Sequence, residues 1–331
     1  MNTDQNYPAL LADVGGTNAR FTLEVAPRKF AAIMVLKCAD YPTLSDAIRA
    51  YLHHPLALEA GSADVKKAGI AIANPVNSDV VKMTNHNWSF SIQSVENEFN
   101  FAPLLVVNDF KELAMALPYL NNTQKYQVGE GHPHDKATIG LVGAGTGLGV
   151  SGLVSTGDDW VALDSEGGHT SFSPTNQREI EILQFALQRY SHVSSERLIS
   201  GPGIHLIYQA LAARQNLDVD LFDTPEITRR GLANECPLCV ETLSAFCEML
   251  GSMASNLAVL LGATGGIYIG GGIVPRLGQF FNESNFRQRF VQKGRFAQYL
   301  SQIPTYVITE PYPAFIGIPP CWTKPDESRI D

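Results

Sequence analysis

The sequence has little of what marks several common classes of protein. Basic residues are outnumbered, 24 Lys and Arg against 33 Asp and Glu in 331 residues, for a net charge of −9. No block of like charge stands out, which argues against sequence-independent binding to nucleic acid or to an anionic membrane. No apolar stretch approaches the length that spans a bilayer. No basic region followed by an apolar run marks a secretory leader near Met1. Cysteine is scarce and odd in number: Cys38, Cys236, Cys239, Cys247 and Cys321. Five thiols in a chain of this size fit a reducing cytoplasm rather than a disulfide scaffold. Cys236-Pro-Leu-Cys239 resembles half a zinc site, but no second C-x-x-C completes it, so these are read as structural thiols. Two nucleotide signatures are also missing. There is no G-x-x-x-x-G-K-[ST]. The glycines from Gly143 to Gly149 do not fit G-x-G-x-x-G, and they lead into a strand where a dinucleotide fold needs a helix.

What is present is a repeated turn. Leu10-Leu11-Ala12-Asp13-Val14 is an apolar strand that runs into Gly15-Gly16-Thr17, and Phe21, Leu23 and Val25 then alternate as in a second strand. Such glycines let the backbone approach a ligand and point N–H groups at an anion such as phosphate. The Asp13 carboxylate stands beside the turn, where a phosphate-bound Mg²⁺ would need an oxygen ligand or a water partner. A tight hairpin capped by its aspartate fits the same residues. The pattern returns in Ile139-Gly140-Leu141-Val142-Gly143-Ala144-Gly145-Thr146-Gly147-Leu148. The two Gly-Thr pairs lie 129 positions apart, too far for a solenoid repeat. The spacing predicts two related domains, each offering one phosphate-binding hairpin, and favours the ligand reading over the bare turn.

Periodicity predicts strands near 8–14, 19–26, 31–37, 67–73 and 104–108, with helices near 43–53, 91–99 and 110–117. Further helices are predicted near 177–190, 203–215 and 225–234. Leu243, Phe246, Cys247, Leu250, Met253, Ala254, Leu257, Leu260 and Leu261 recur at helical spacing and predict one long helix ending near Gly262. A strand at Ile267-Tyr268-Ile269 follows. The mixture is that of an α/β protein with two sheets, and the lack of a low-complexity linker predicts a hinge rather than a tether.

Several side chains suit chemistry. Asn108-Asp109-Phe110 ends an apolar strand, where open α/β sheets place ligands, and a carboxylate there can act as general base toward a hydroxyl. Asp109 followed by Glu112 also fits the spacing of a capping box. Glu166-Gly167-Gly168-His169 offers an acceptor and a second polar group to a sugar edge, or forms a polar turn. Glu196 reads locally as a first-turn helix residue. Asn85-His86-Asn87-Trp88 suits a carbohydrate and equally an ordinary loop. Gly270-Gly271-Gly272 fits close approach to a nucleotide base or ribose, or a tight turn.

Taken in order, these segments resemble the bacterial glucokinase family, in the branch with Asp-Val-Gly-Gly-Thr-Asn-Ala-Arg near the N-terminus. The matching stretches are Asp13 to Arg20, Met83 to Trp88, Asn108 to Phe110, Gly143 to Gly149, Glu166 to His169, Ser195 to Arg197, Ser200 to Gly203 and Gly270 to Arg276. They cover residues 8 to 308. The resemblance implies a two-domain α/β fold of the actin/hexokinase-like (ribonuclease H-like) ATPase type with a central cleft. The small domain would comprise 1–118, rejoined by 310–331, and the large domain 119–309. It implies ATP-dependent phosphorylation of the glucose 6-hydroxyl, with Asp109 as catalytic base. Asn108, Asp109, Glu166, His169 and Glu196 would bind the sugar. Ala12, Asp13, Val14, Gly15, Gly16 and Thr17 would bind ATP, with Gly143, Gly145, Thr146, Gly147, Gly271 and Gly272 as further nucleotide-binding residues. Mg²⁺ would meet Asp13 through water. The partners implied are glucose, ATP and a second copy in a homodimer.

Two features depart from the family. Ala12 replaces a glycine common before the aspartate. The end is more unusual: the family continues into a Pro-Gly-Leu-Leu-Gly turn and a helix, whereas this chain reads Pro313-Ala314-Phe315-Ile316-Gly317-Ile318-Pro319-Pro320-Cys321-Trp322. Adjacent prolines do not continue a helix, so the sequence argues against a C-terminal helix and for a disordered tail over Lys324–Asp331. The readings that compete with glucokinase are a kinase for another hexose, such as mannose or fructose, and a sugar-binding sensor without catalysis. The cysteine-rich zinc motif of the related repressor/kinase family is not found in the sequence.

Overall fold

The computed structural model describes residues 7–74, 76–84, 86–217 and 222–322, without the side chains of Pro320 and Cys321. The chain divides into two compact units, one of residues up to Leu120 together with those from Pro311, the other Asn121–Glu310.

The first unit is built on strands β1 (Ala9–Val14), β2 (Asn18–Ala26), β3 (Lys29–Lys37), β4 (Lys67–Ile72) and, later in the chain, β7 (Leu104–Asn108). A small separate hairpin, β5 (Val80–Lys82) and β6 (Ser89–Ser91), lies between β4 and β7 in sequence. The five-stranded sheet has the order β3-β2-β1-β4-β7. β1 pairs antiparallel with β2 and parallel with β4, and β7 joins parallel to β4. Successive residues of β1 serve opposite faces, as the pleat requires. Leu10, Ala12 and Val14 join Phe21, Ile48, Tyr51 and Trp88 in one core. Leu11 turns to the other face and packs with Ala71, Phe315 and Ile318.

That second face corrects the expectation about the tail. Ala314–Cys321 is a helix, and Phe315 and Ile318 are fully buried. Its prolines fall in the last turn, where little helix remains to be interrupted. The apolar run Ala314-Phe315-Ile316 supplies enough burial to dock it. Lys324–Asp331 lies outside the described residues.

The second unit repeats the plan. Its strands are β8 (Lys125–Val128), β9 (Ile139–Ala144), β10 (Leu148–Ser155), β11 (Trp160–Leu163), β12 (Ile267–Gly270) and β13 (Thr305–Ile308), in the order β11-β10-β9-β12-β13-β8. β9 pairs antiparallel with β10 and parallel with β12, as β1 does with β2 and β4. The repeated glycine-threonine turn is thus the visible trace of a repeated topology.

The long helix runs from Pro237 to Leu261, starting six residues before the apolar pattern indicates, with Pro237 in its first turn and Gly262 left-handed at its end. One 18-residue window has a mean hydropathy of 1.3, so by length and composition this helix could cross a membrane. This corrects the expectation that no apolar stretch is long enough. Leu243, Phe246, Leu250 and Ala254 are buried in one core with Val142, Ile267, Phe286 and Phe290, so it is the core helix of its unit.

Candidate functional site

In the first unit, β7 ends at Asn108 and the helix Asp109–Ala116 begins at the next residue. Asn108 has extended backbone angles, and its side-chain oxygen accepts from Phe110 N–H at 3.0 Å and Lys111 N–H at 3.1 Å. Asn108 is therefore the cap, and the capping box of Asp109 with Glu112 is not formed. Asp109 already has helical geometry, so it cannot supply the half-turned cap position. Its carboxylate is left for other work and accepts from the Asn108 amide at 3.3 Å. Burial, and then the negative charge of Asp13, push the Asp109 carboxyl up to about 6.

Asp13 lies on β1 opposite Arg20 of β2 in register, and the two form an ion pair at 2.9 Å. Burial raises its carboxyl and Arg20 opposes the rise. The hairpin that follows is closed by Gly15 N–H on the Asn18 carbonyl at 3.0 Å, leaving Thr17 exposed. Ala12 and Val14 are fully buried, and both strands beside β1 occupy their backbone. Their side chains face the core, so they carry the turn rather than present a group to a ligand.

The second hairpin is closed over a shorter span, by Gly145 N–H on the Gly147 carbonyl at 2.9 Å. The Gly145 carbonyl accepts from Gly201 N–H at 2.8 Å, which brings the start of the helix Gly201–Arg214 to the turn. A cavity of about 800 Å³ opens here, lined by Gly145, Thr146 and Gly272 among the residues nominated from sequence. Arg189, Tyr190, His205 and Arg276 line it too. Backbone N–H groups at a helix start and two guanidinium groups suit an anion, and the ring and aliphatic walls suit a flat apolar group. The wall is braced: His205 Nδ1 meets the Phe222 carbonyl at 2.9 Å, and Thr224 Oγ1 donates to the Gly201 carbonyl at 2.8 Å. Gly143 is a buried β9 residue paired with Gly149 and Gly270 and does not line the cavity. Gly271 has a φ of +80°, and a side chain there would strike the backbone of Ala144, so the triple glycine does make a tight turn.

On the same turn stands a polar cluster. Glu196 lies in the first turn of the helix Ser195–Leu198, capped by Ser194, and its Oε2 accepts from Leu148 N–H at 2.9 Å. A Cβ at Gly147 would meet that carboxylate, so a side chain there would displace Glu196 from its present place. His169 sits between two carboxylates, with Nδ1 3.9 Å from Glu196 and Nε2 4.0 Å from Glu166. The side chains of Glu166 and His169 are 78% and 62% exposed, so both present hydrogen-bonding groups outward.

The structure therefore brings Asn108, Asp109 and Asp13 together in the first unit, and Glu166, His169 and Glu196 in the second. Asn85 lies outside the described residues. Trp88 is not a sugar platform: it is 2% exposed and its indole donates to the Tyr41 carbonyl at 3.0 Å. Sequence reasoning missed Arg189, Tyr190 and His205 as neighbours of these sites and read Glu112 only as a capping partner. The Gly201-Pro202-Gly203 stretch was a signal for the cavity, but nothing local marked Arg189.

Comparison with known proteins settles the family. The Glucokinase family model matches residues 10–324. The chain belongs to the glucokinase family. It is 48% identical over 316 residues to a glucokinase of Neisseria meningitidis, covering 96% of this chain and 95% of that protein. It is 53% identical over 312 residues to the bifunctional protein glk of Paraburkholderia xenovorans. That match takes in 94% of this chain but only 48% of the relative, so the chain spans about half the length of the bifunctional relatives it matches. Among solved structures, a glucokinase from an Antarctic psychrotroph aligns over 97% of this chain and 99% of its own, with a TM-score of 0.86 and 36% identity. The expected fold class, α/β of the actin/hexokinase-like type, is the one the glucokinase family has here.

Proposed function

We propose that this chain phosphorylates the 6-hydroxyl of glucose with ATP, and that Asp109 is the base. The observation that carries the proposal is the state of Asp109. It is a half-buried carboxylate at a helix start, freed from capping by Asn108, with a pKa raised to about 6. A base is most effective when its pKa lies near the working pH. In the step, the sugar O6 bonds to the γ-phosphorus, its proton passes to Asp109, and the γ-phosphorus to bridging-oxygen bond of ATP breaks to leave ADP. Such transfer is chiefly positioning and charge neutralisation. The cavity at Gly145, Thr146 and Gly272, with Arg189 and Arg276, supports nucleotide binding. Glu166, His169 and Glu196 supply acceptors and a donor for sugar hydroxyls, and sites that pair a hydroxyl reject analogues lacking it by about 10⁴–10⁵. Asp13 is a hard oxygen donor beside the first turn and fits a water-held Mg²⁺, which when bound neutralises phosphate charge. A homodimer in the cytoplasm belongs to the same proposal.

The test is ADP production by the purified protein with Mg²⁺ and ATP, in parallel with glucose, mannose, fructose and no sugar. Turnover confined to glucose is expected. Turnover with another hexose alone would move the assignment to that sugar. Glucose binding by calorimetry with no turnover would make the protein a sensor.

A further inference from the structure

One buried group is not used by that chemistry. Glu112 lies three residues after Asp109 on the same helix, and side chains at that spacing share a face. It is 1% exposed, and its Oε1 has no hydrogen-bond partner among the described residues. Burial, with the charges of Asp13 and Asp109, raises its carboxyl well above the ordinary range, and the Gly317 N–H is the one group opposing the rise. That N–H belongs to the C-terminal helix, which docks on the helix of Asp109. The approach is close: a Cβ at Gly317 would overlap the Glu112 carbonyl and its Oε1.

A residue that served packing alone would be apolar here. Its neighbours Leu113, Ala114, Met115 and Ala116 are buried and apolar, and only Glu112 adds a carboxyl. A buried polar group short of partners costs stability, and such costs cluster where function requires them. We propose that Glu112 is a positioning residue for Asp109. Its carboxyl oxygen, accepting from Gly317, pins the first turn of the helix Asp109–Ala116 to the C-terminal helix and fixes where the base stands. This rests on Asp109 being the base.

The test compares Glu112→Gln, which keeps an oxygen for Gly317, with Glu112→Met, of similar length and without one. Asp109→Asn is measured beside them. The Gln variant is expected to keep kcat within about threefold. The Met variant is expected to lose about tenfold or more in kcat, since misplacement by an ångström can cost roughly 10²-fold. Its KM for glucose should stay within about twofold, and its Tm should equal or exceed that of the unaltered protein. A Met variant with unchanged kcat overturns the proposal. A Met variant that loses Tm along with kcat, or fails to fold, overturns it too, because Glu112 would then be structural. A folded Gln variant as slow as the Met variant removes the acceptor role. Turnover surviving in Asp109→Asn would instead remove the base, a separate failure.

Discussion

The second sheet repeats the five-strand order of the first with β8 added at its edge, and each carries a glycine-threonine turn, yet they treat their carboxylates in opposite ways. Around the first turn Glu112 is buried and Asp109 half-buried, both carboxyls are raised, and each is raised further by Asp13. Around the second, Glu166 and His169 stand open to solvent, and a cavity opens at Gly145 and Thr146 of the turn. Burial makes a carboxyl a better proton acceptor by making its charge costly. Exposure keeps a side chain free to exchange water for a ligand's hydroxyls. One duplicated scaffold thus yields a unit suited to proton transfer and a unit suited to holding, through differences in burial rather than in fold.

The largest expected effect breaks the first half of that contrast. Asp109→Asn should lower kcat by about 10²–10⁴-fold, the range of a lost general base, while glucose affinity stays within about tenfold. Calorimetry and steady-state kinetics on one preparation check both numbers. Glucose affinity falling in step with kcat would make Asp109 a binding residue like those of the second unit.

The next prediction concerns what covers the first unit. Phe315 is fully buried against Leu11 and Ala71. Phe315→Ala should cost about 3–5 kcal/mol in chemical unfolding, as a large aromatic cavity does. A loss below about 1 kcal/mol would mean that the C-terminal helix adds little.

The tail also shows where the sequence was legible and where it was not. Both hairpins, the strand before Asp109 and the end of the long helix at Gly262 could be read, because glycine turns and helical periods are local signals. The C-terminal helix was misread. The local rule against Pro319-Pro320 was outweighed by the burial of Phe315 and Ile318, which depends on a sheet face set three hundred residues earlier. The capping box that Asp109 and Glu112 suggest fails to form for a related reason. Asn108 and Asp109 are both good caps, and only the backbone angles decide which residue is half-turned. Arg189 and Tyr190 reach the cavity from a segment without a motif, so nothing short of the fold could nominate them.

A moderate effect should come from the second unit. Glu196→Gln keeps the oxygen that accepts from Leu148 but removes the charge beside His169. Hydrogen bonds to charged groups contribute about 1.5–3 kcal/mol, so KM for glucose should rise about tenfold or more with kcat reduced less. A fall in kcat alone would assign Glu196 to chemistry and erase the division of labour between the units.

The smallest effect is the most specific to the buried cluster. Asp109 must be ionised to accept a proton, so kcat/KM should rise with pH through about 6. The stability change has the opposite sign. The folded pKa of about 6 stands above the ordinary 3.8, so the folded state binds more protons between those values. Stability contributed by Asp109 therefore falls as pH rises from about 4 to 6, by roughly 3 kcal/mol at most. Asp13→Asn removes one of the two influences that raise Asp109, the lesser after burial. The acid limb of the rate profile should then move to lower pH by a fraction of a unit, whatever happens to its height. A limb that stays in place would mean that burial alone sets the base. A limb that moves to higher pH would contradict the like-charge effect of Asp13 on Asp109.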